Sequence, residues 1–157
     1  MGETARILIV DDDENIRKVL ETILADEGYI VESAETAKKG IEKSEKAFYN
    51  LALIDVRLPD MQGLEHLSKL RNTKPKMRKI IVTGYPTLQN AIAAVNKGAD
   101  AYVMKPFDVE KILQTIKEQL RKQEEEKSFS EEKVVEFIET RIKALETIDQ
   151  QAVKKDA

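Results

Sequence analysis

The sequence predicts an α/β fold: a doubly wound, five-stranded parallel sheet with helices on both faces, plus an extra α-helix at the C-terminus. Five short apolar runs alternate with longer segments in which apolar residues recur every three or four positions. Four of the runs are continuously apolar, which is typical of strands that helices cover on both faces. A strand–helix pattern repeated five times favours parallel strands joined by right-handed crossovers.

Each predicted strand is short and is followed by a segment with one apolar face. The strands are expected at residues 7–10, 30–31, 51–54, 80–82 and 101–104. Glycine after the first and fourth helices is a typical C-cap, and Thr87 and Asp108 are suitable N-caps for the fourth and fifth. The apolar faces are marked by Ile16, Val19, Leu20, Ile23 and Leu24; by Ala37 and Ile41; by Leu64, Leu67 and Leu70; by Leu88, Ala91, Ile92 and Val95; and by Val109, Ile112, Leu113, Ile116 and Leu120.

The C-terminal part of the chain predicts one more helix. Residues 124–127 (Glu-Glu-Glu-Lys) are expected to form a charged hinge or a helix end, and Ser130 is a suitable N-cap beyond it. Phe129 and Val134 occupy the positions of a hydrophobic staple. Apolar residues then recur at spacings of three and four as far as Ala152. We therefore predict a domain over residues 5–127 and a C-terminal amphipathic helix over residues 128–157, acting as a dimerisation helix or a linker.

Composition excludes several classes of function. The 157 residues include 26 basic and 29 acidic side chains, so the net charge is -3 and no basic excess indicates nucleic-acid binding. The chain has no cysteine, which excludes disulfides and thiolate sites. The one histidine, His66, is expected at the surface of the third helix. Because no segment resembles a signal peptide or a membrane span, we expect a cytoplasmic protein.

Polar residues follow four of the predicted strands at the point where each strand ends. In a parallel sheet these ends meet at one edge, where ligands bind. Converging carboxylates suit Mg²⁺, and a hydroxyl and an ammonium beside them would complete a phosphoryl pocket, in which a carboxylate can act as nucleophile. Taken singly, the acidic run after the first strand could equally cap the first helix. The residues are Asp11, Asp12 and Asp13 after the first strand, Asp55 after the third, Thr83 and Gly84 after the fourth, and Lys105 after the fifth.

These residues lie in segments that resemble the receiver domain of two-component response regulators. The resemblance covers roughly residues 5–127 and implies the flavodoxin-like sheet with strand order 2-1-3-4-5. No position of the implied site departs from the family pattern. The matching segments are residues 7–12 (ILIVDD), 53–63 (LIDVRLPDMQG), 81–84 (IVTG) and 98–107 (GADAYVMKPF).

The resemblance implies a role for each site residue. Asp55 would accept a phosphoryl group. Asp11 and Asp12 would bind Mg²⁺ together with Asp55 and the backbone carbonyl of Arg57. Lys105 would pair with the phosphoryl group, and Thr83 would donate a hydrogen bond to it. Tyr102 would be the aromatic switch residue.

The implied function is a phosphorylation-activated switch rather than a conventional metabolic enzyme. The resemblance implies that a sensor histidine kinase or a phosphotransfer protein donates the phosphoryl group. The domain itself would catalyse its own phosphorylation and dephosphorylation. Phosphorylation would change the partner contacts of the face formed by the fourth helix, fifth strand and fifth helix, including a homodimer contact. We expect no direct DNA binding and no membrane contact.

Two other functions are weighed against this one. A phosphate-independent dimeric adaptor would leave the acidic pocket without a purpose. A Mg²⁺-dependent phosphatase with an aspartyl nucleophile, of the haloacid-dehalogenase type, is expected to carry a second acid two residues after the nucleophile, where this chain has Arg57.

The role of residues 128–157 stays open at this point. The segment could pair with its twin as a short coiled coil, fold back on its own domain, or link to an output module. It is too short to be a DNA-binding output domain of roughly 60 residues itself.

Overall fold

The computed structural model confirms the predicted α/β architecture. It describes residues 4–56, 58–60, 63–84 and 87–156; for residues 63, 64, 90 and 150–156 it describes the backbone alone. Strands and helices alternate along these ranges. They are β1 (Arg6–Val10), α1 (Glu14–Asp26), β2 (Ile30–Ala34), α2 (Ala37–Lys46), β3 (Leu51–Ile54), α3 (Gly63–Lys69), β4 (Arg78–Thr83), α4 (Leu88–Asn96), β5 (Ala101–Met104) and α5 (Val109–Asp156).

The sheet is parallel throughout and has the strand order β2-β1-β3-β4-β5 that the resemblance implies. The order reverses at β1, which pairs with β2 on one side and with β3 on the other. Val10, the last residue of β1, lies opposite Ala34 of β2 and Ile54 of β3. The three strands therefore end together, and the residues that follow them meet at the switch point where such sheets bind ligands.

Alternate residues of the strands point to opposite faces of the sheet, and both faces are covered. Leu8 and Val10 pack in one buried cluster with residues of α2, α3 and α4. Ile7 and Ile9 pack in a second cluster with residues of α1 and α5. Burial on both faces explains why β3, residues 7–10 of β1 and residues 80–82 of β4 are continuously apolar instead of alternating.

The expectation that His66 lies at the surface is wrong. The side chain is fully buried on α3, and neither ring nitrogen has a hydrogen-bond partner among the described residues. Helix α2 passes so close that a Cβ on Gly40 would lie 3.2 Å from the imidazole and 2.8 Å from Cγ2 of Val10. His66 precedes the buried Leu70 by four residues, so the helical spacing that marks the apolar face of this segment includes the histidine.

The predicted hinge at residues 124–127 and the separate cap at Ser130 are also wrong. Helix α5 continues for 48 residues from Val109 to Asp156. The segment contains neither glycine nor proline and is rich in Glu, Lys, Gln and Arg, which are strong helix formers. The extra C-terminal helix is therefore a continuation of α5. No helix within the described ranges is both long and apolar enough to cross a membrane.

The chain divides into two units, Met1–Gln123 and Glu124–Ala157. The first contains the sheet, α1 to α4 and the beginning of α5. The described residues of the second unit, 124–156, all belong to α5. The division predicted from the sequence, between residues 127 and 128, stays a prediction.

Candidate functional site

Two buried carboxylates stand at the ends of adjacent strands. Asp11 follows β1, and its backbone N–H donates to the carbonyl oxygen of Ala34 at 3.1 Å. Asp55 follows β3, and its N–H donates to the carbonyl oxygen of Val10 at 2.9 Å. These bonds extend the sheet pairing by one residue and fix both backbones. The residues are only 3% and 7% exposed, so each carboxylate needs a compensating partner.

Asp12 joins these two residues to form a three-carboxylate cluster. One oxygen from each of Asp11, Asp12 and Asp55 lies within 4.8 Å of the others. Asp12 is exposed, so the cluster is open to solvent on one side. Hard carboxylate oxygens, with room for water ligands, are the donors that Mg²⁺ prefers. The donor set therefore fits a magnesium ion.

Lys105 supplies a cation to this cluster from the end of β5. Its Nζ lies 2.8 Å from Oδ2 of Asp11 and 3.1 Å from Oδ2 of Asp55. Burial acts to lower the pKa of Lys105, but the hydrogen bonds and charges of the two carboxylates outweigh it and raise this pKa overall. The ammonium balances one of three negative charges, which leaves a site with a net attraction for a divalent cation.

The acidic run after β1 divides between two roles. Oδ1 of Asp13 accepts hydrogen bonds from the N–H groups of Asn15 at 2.9 Å and Ile16 at 3.3 Å, so Asp13 is the N-cap of α1. Asp11 and Asp12 instead contribute to the carboxylate cluster. The capping interpretation of the run is thus confirmed for Asp13 alone, and metal binding by Asp11 and Asp12 stays a prediction.

Thr83 and Tyr102 lie on the neighbouring strands β4 and β5. Thr83 ends β4 and is fully buried, and its carbonyl oxygen accepts from the N–H of Lys105 at 2.7 Å. Tyr102 is half-buried, and its hydroxyl has no hydrogen-bond partner among the described residues. Burial raises the pKa of this hydroxyl. Arg57, predicted to offer its backbone carbonyl to the metal, lies outside the described residues.

Two residues near the site have contacts that the sequence did not reveal. The carboxylate of Asp60 accepts from the N–H groups of Ala37 and Lys38, each at 2.9 Å, and so ties the segment after β3 to the start of α2. Arg17 donates through Nη1 to the carbonyl oxygen of Asp11 at 2.7 Å. Asp60 acts on a helix 22 residues earlier in the chain, so no local capping pattern could show it.

Comparison with known proteins identifies the family of this chain. The family model of the response regulator receiver domain matches residues 7–117. The transcriptional regulatory protein YkoG of Bacillus subtilis (strain 168) is 37% identical over 119 residues, which cover 76% of this chain and 52% of YkoG. The response regulator ArlR of Staphylococcus aureus (strain Mu50) is 36% identical over 118 residues, 75% of this chain and 53% of ArlR.

A solved structure agrees along almost its whole length. The CheY-like response regulator receiver domain protein of Methanospirillum hungatei JF-1 is 51% identical, with a TM-score of 0.76, and the match covers 79% of this chain and 99% of that one. In contrast, this chain spans about half the length of YkoG and ArlR. The matched family model, the strand order and the site at the strand ends lead to one conclusion: the chain belongs to the response regulator receiver domain family of two-component systems.

Proposed function

We propose that the chain is a phosphorylation-controlled switch that accepts a phosphoryl group on Asp55 from a histidine kinase or a phosphotransfer protein. The observation that carries this proposal is the cluster of Asp11, Asp12 and Asp55 joined by the Lys105 ammonium. Receiver domains belong to two-component systems, so a kinase or phosphotransfer partner follows from the family.

Magnesium is the proposed cofactor. Asp11, Asp12 and Asp55 would hold it through carboxylate oxygens, and the backbone carbonyl of Arg57 would be a further ligand. When bound, the ion neutralises negative charge on a phosphoryl group, which is the main requirement of phosphoryl transfer. The exposed side of the cluster, at Asp12, gives the entry path for the ion and for the donor.

Asp55 is the proposed nucleophile because it is the acid that follows the central strand β3. One of its carboxylate oxygens would form a bond to phosphorus while the bond from phosphorus to the donor imidazole nitrogen breaks, and the nitrogen keeps the electron pair. Lys105 Nζ, 3.1 Å from Oδ2 of Asp55, is close enough to pair with the transferred group. Loss of the phosphoryl group to water would return the site to its starting state.

The switch is proposed to involve Thr83 and Tyr102. The new phosphoryl charge at Asp55 would attract the hydroxyl of Thr83, which ends the adjacent strand β4. The Tyr102 hydroxyl is buried without a described partner, a state that costs about 1–3 kcal/mol. Once Thr83 moves, a conformation in which the Tyr102 hydroxyl gains a hydrogen-bond partner would therefore be favoured. Such a change is a population shift driven by a local change in charge.

The output is proposed to be a change in protein contacts on the face of α4, β5 and α5. Large apolar side chains are exposed there: Leu88 is 77% exposed and Met104 is 51% exposed. Such a patch is typical of an interaction site, for a second copy of the chain or for another protein. The net charge of -3 gives this chain no general attraction for DNA, and we place its action in the cytoplasm.

The proposal is tested by phosphorylation of the full chain with a small acyl phosphate and Mg²⁺. Intact-mass measurement should show one added phosphoryl group that requires Mg²⁺. Asp55→Asn should show none, whereas Asp26→Asn, at an exposed acid of α1, should react like the wild type. An adduct of equal yield in wild type and Asp55→Asn would overturn the assignment. A complete lack of adduct in the wild type would instead favour the phosphate-independent adaptor.

A further inference from the structure

The C-terminal unit of α5 exposes a row of large apolar side chains. Residues of this row are 49% to 69% exposed, although they are aliphatic or aromatic. A helix that packs against nothing is marginally stable in water, and most helical stability comes from covering an apolar face. The unit therefore exposes an apolar surface that a partner could cover. Its members are Val134, Val135, Phe137, Ile138, Ile142, Leu145 and Ile148.

Four members of this row, together with Arg141, have the spacing of a two-stranded coiled coil. Starting from Val134, steps of four, three, four and three residues reach Ile138, Arg141, Leu145 and Ile148. Alternating steps of three and four generate the seam along which two helices pack. The seam contains one charged residue, Arg141, at its centre. We refer to Val134, Ile138, Arg141, Leu145 and Ile148 as the C-terminal seam.

Charge along the same helix is unevenly distributed. Residues 124–139 contain seven acidic and two basic side chains, whereas residues 140–157 contain three acidic and four basic ones. In a parallel pair each half would face its own twin, so the acidic halves would repel each other and Arg141 would face Arg141. In an antiparallel pair the acidic half of one helix runs beside the more basic half of the other.

We propose that a second copy of this chain covers the C-terminal seam in an antiparallel helix pair centred near residue 143. This register places Ile138 of one copy against Ile148 of the other, and Arg141 against Leu145. The aliphatic stem of Arg141 can then cover Leu145 while its guanidinium reaches solvent. Moving the pair by one heptad towards the N-terminus would place Ile148 against Glu131, which disfavours that register.

This association is separate from the phosphoryl chemistry. The C-terminal seam lies in the unit Glu124–Ala157, whereas Asp55 and its partners lie in the unit Met1–Gln123. We therefore expect the helix pair to form in Asp55→Asn as well as in the wild type. A failure of phosphorylation would leave this proposal standing, and a failure of association would leave the phosphoryl proposal standing.

The first test measures the mass of the full chain in solution by sedimentation equilibrium. The wild type should form a dimer that dissociates into single chains on dilution. Ile138→Glu and Leu145→Glu should each raise the dissociation constant by at least about a hundredfold, because each buries a charge in the seam. Thr147→Glu, at an exposed position outside the seam, should behave like the wild type. A wild type that stays single at sub-millimolar concentration, or seam variants that pair normally, would overturn the proposal.

The second test determines whether the two helices run antiparallel or parallel. It is simple because the chain has no native cysteine. Ile138→Cys and Ile148→Cys are prepared separately, one with a tag that changes its mass, and are oxidised alone and mixed. A disulfide needs Cα atoms within about 7 Å. The antiparallel pair should give a mixed disulfide between the two variants and none in either alone, because ten helical residues span about 15 Å. Disulfides in each variant alone would show a parallel pair and contradict the proposal, and no disulfide in any sample would contradict the register.

Discussion

At the scale of single residues, the buried His66 is the most unusual group outside the site. Burial lowers its pKa from 6.5 to about 4; the Asp60 charge acts to raise this pKa, and the Lys79 charge acts to lower it. Lys79 itself is buried and donates from Nζ to the carbonyl oxygen of Leu67 at 2.7 Å. The imidazole is therefore neutral in the folded protein at ordinary pH and has no described acceptor for a second proton.

The lowered pKa of His66 predicts a loss of stability in mild acid. Above pH 6.5 the imidazole is neutral in both states and contributes nothing. As the pH falls below 6.5 the unfolded chain binds the proton first, so the free energy of unfolding should drop by about 2 kcal/mol by pH 5. His66→Leu should remove this dependence. Urea denaturation of both proteins at pH 7 and pH 5 provides the measurement.

Few other groups should change the free energy of unfolding between pH 7 and pH 5. His66 is the only histidine, and Glu32, whose pKa is lowered by the Tyr49 hydroxyl among other groups, loses its contribution only below its ordinary pKa near 4.5. If the two proteins lose stability equally between pH 7 and pH 5, the neutral buried imidazole is not the cause.

The residues of the carboxylate cluster and His66 differ in how far they could be predicted. Asp11, Asp55 and Lys105 follow apolar strands, and parallel strands bring their ends together, so sequence position alone predicts proximity. The burial of His66 depends on the approach of α2, and the role of Asp60 depends on a distant helix start. Those contacts arise only when separate segments pack, and neither has a local sequence signature.

At the scale of elements, one side chain fastens the end of the receiver part of α5 to the sheet. Gln123 is 4% exposed. Its Nε2 donates to the carbonyl oxygens of Asn50 and Lys76, each at 2.8 Å, and its Oε1 accepts from Nδ2 of Asn50 at 3.2 Å. Asn50 in turn accepts through Oδ1 from the N–H of Arg6, the first residue of β1, at 2.8 Å. The amide of Gln123 thus joins α5 to the beginnings of β1, β3 and β4.

Gln123→Ala should destabilise the fold because it leaves buried polar groups without their partner. We expect the free energy of unfolding to fall by about 2–3 kcal/mol. Gln114→Ala, an exposed glutamine on the same helix, should change it by less than about 0.5 kcal/mol. Urea denaturation at pH 7 measures both values. Equal effects of the two substitutions would mean that the Gln123 amide does not fasten the helix.

The elements themselves were largely predictable, and the exception has a clear cause. Strands β1, β3 and β4 are marked by burial on both faces, and helices α1 and α4 by their apolar spacing and closing glycines. The charged run at residues 124–127 predicts a hinge or a helix end, and the structure has neither there. Glutamate and lysine favour helix, and nothing between Val109 and Asp156 interrupts the backbone hydrogen bonds, so charge alone does not end a helix.

At the scale of the whole molecule, the two units differ in what stabilises them. The unit Met1–Gln123 has buried clusters on both faces of its sheet, whereas the side chains described in the second unit are exposed. A domain of this size can bury a core of its own. The first unit should therefore fold without the second, provided that the contacts of Gln123 are kept.

Shortening the chain tests this independence and the predicted division at residue 127 together. A chain of residues 1–127 keeps Gln123 and one more helical turn, so its melting temperature and its Mg²⁺-dependent adduct at Asp55 should match those of the full chain. A chain of residues 1–122 lacks the Gln123 amide and should melt at a lower temperature by roughly 5–15 °C, from the 2–3 kcal/mol assigned to those hydrogen bonds. Calorimetry and intact-mass measurement give both readouts. Unfolding of the 1–127 chain would show that the C-terminal helix is required for the receiver fold, because this chain and the full chain differ only in residues 128–157.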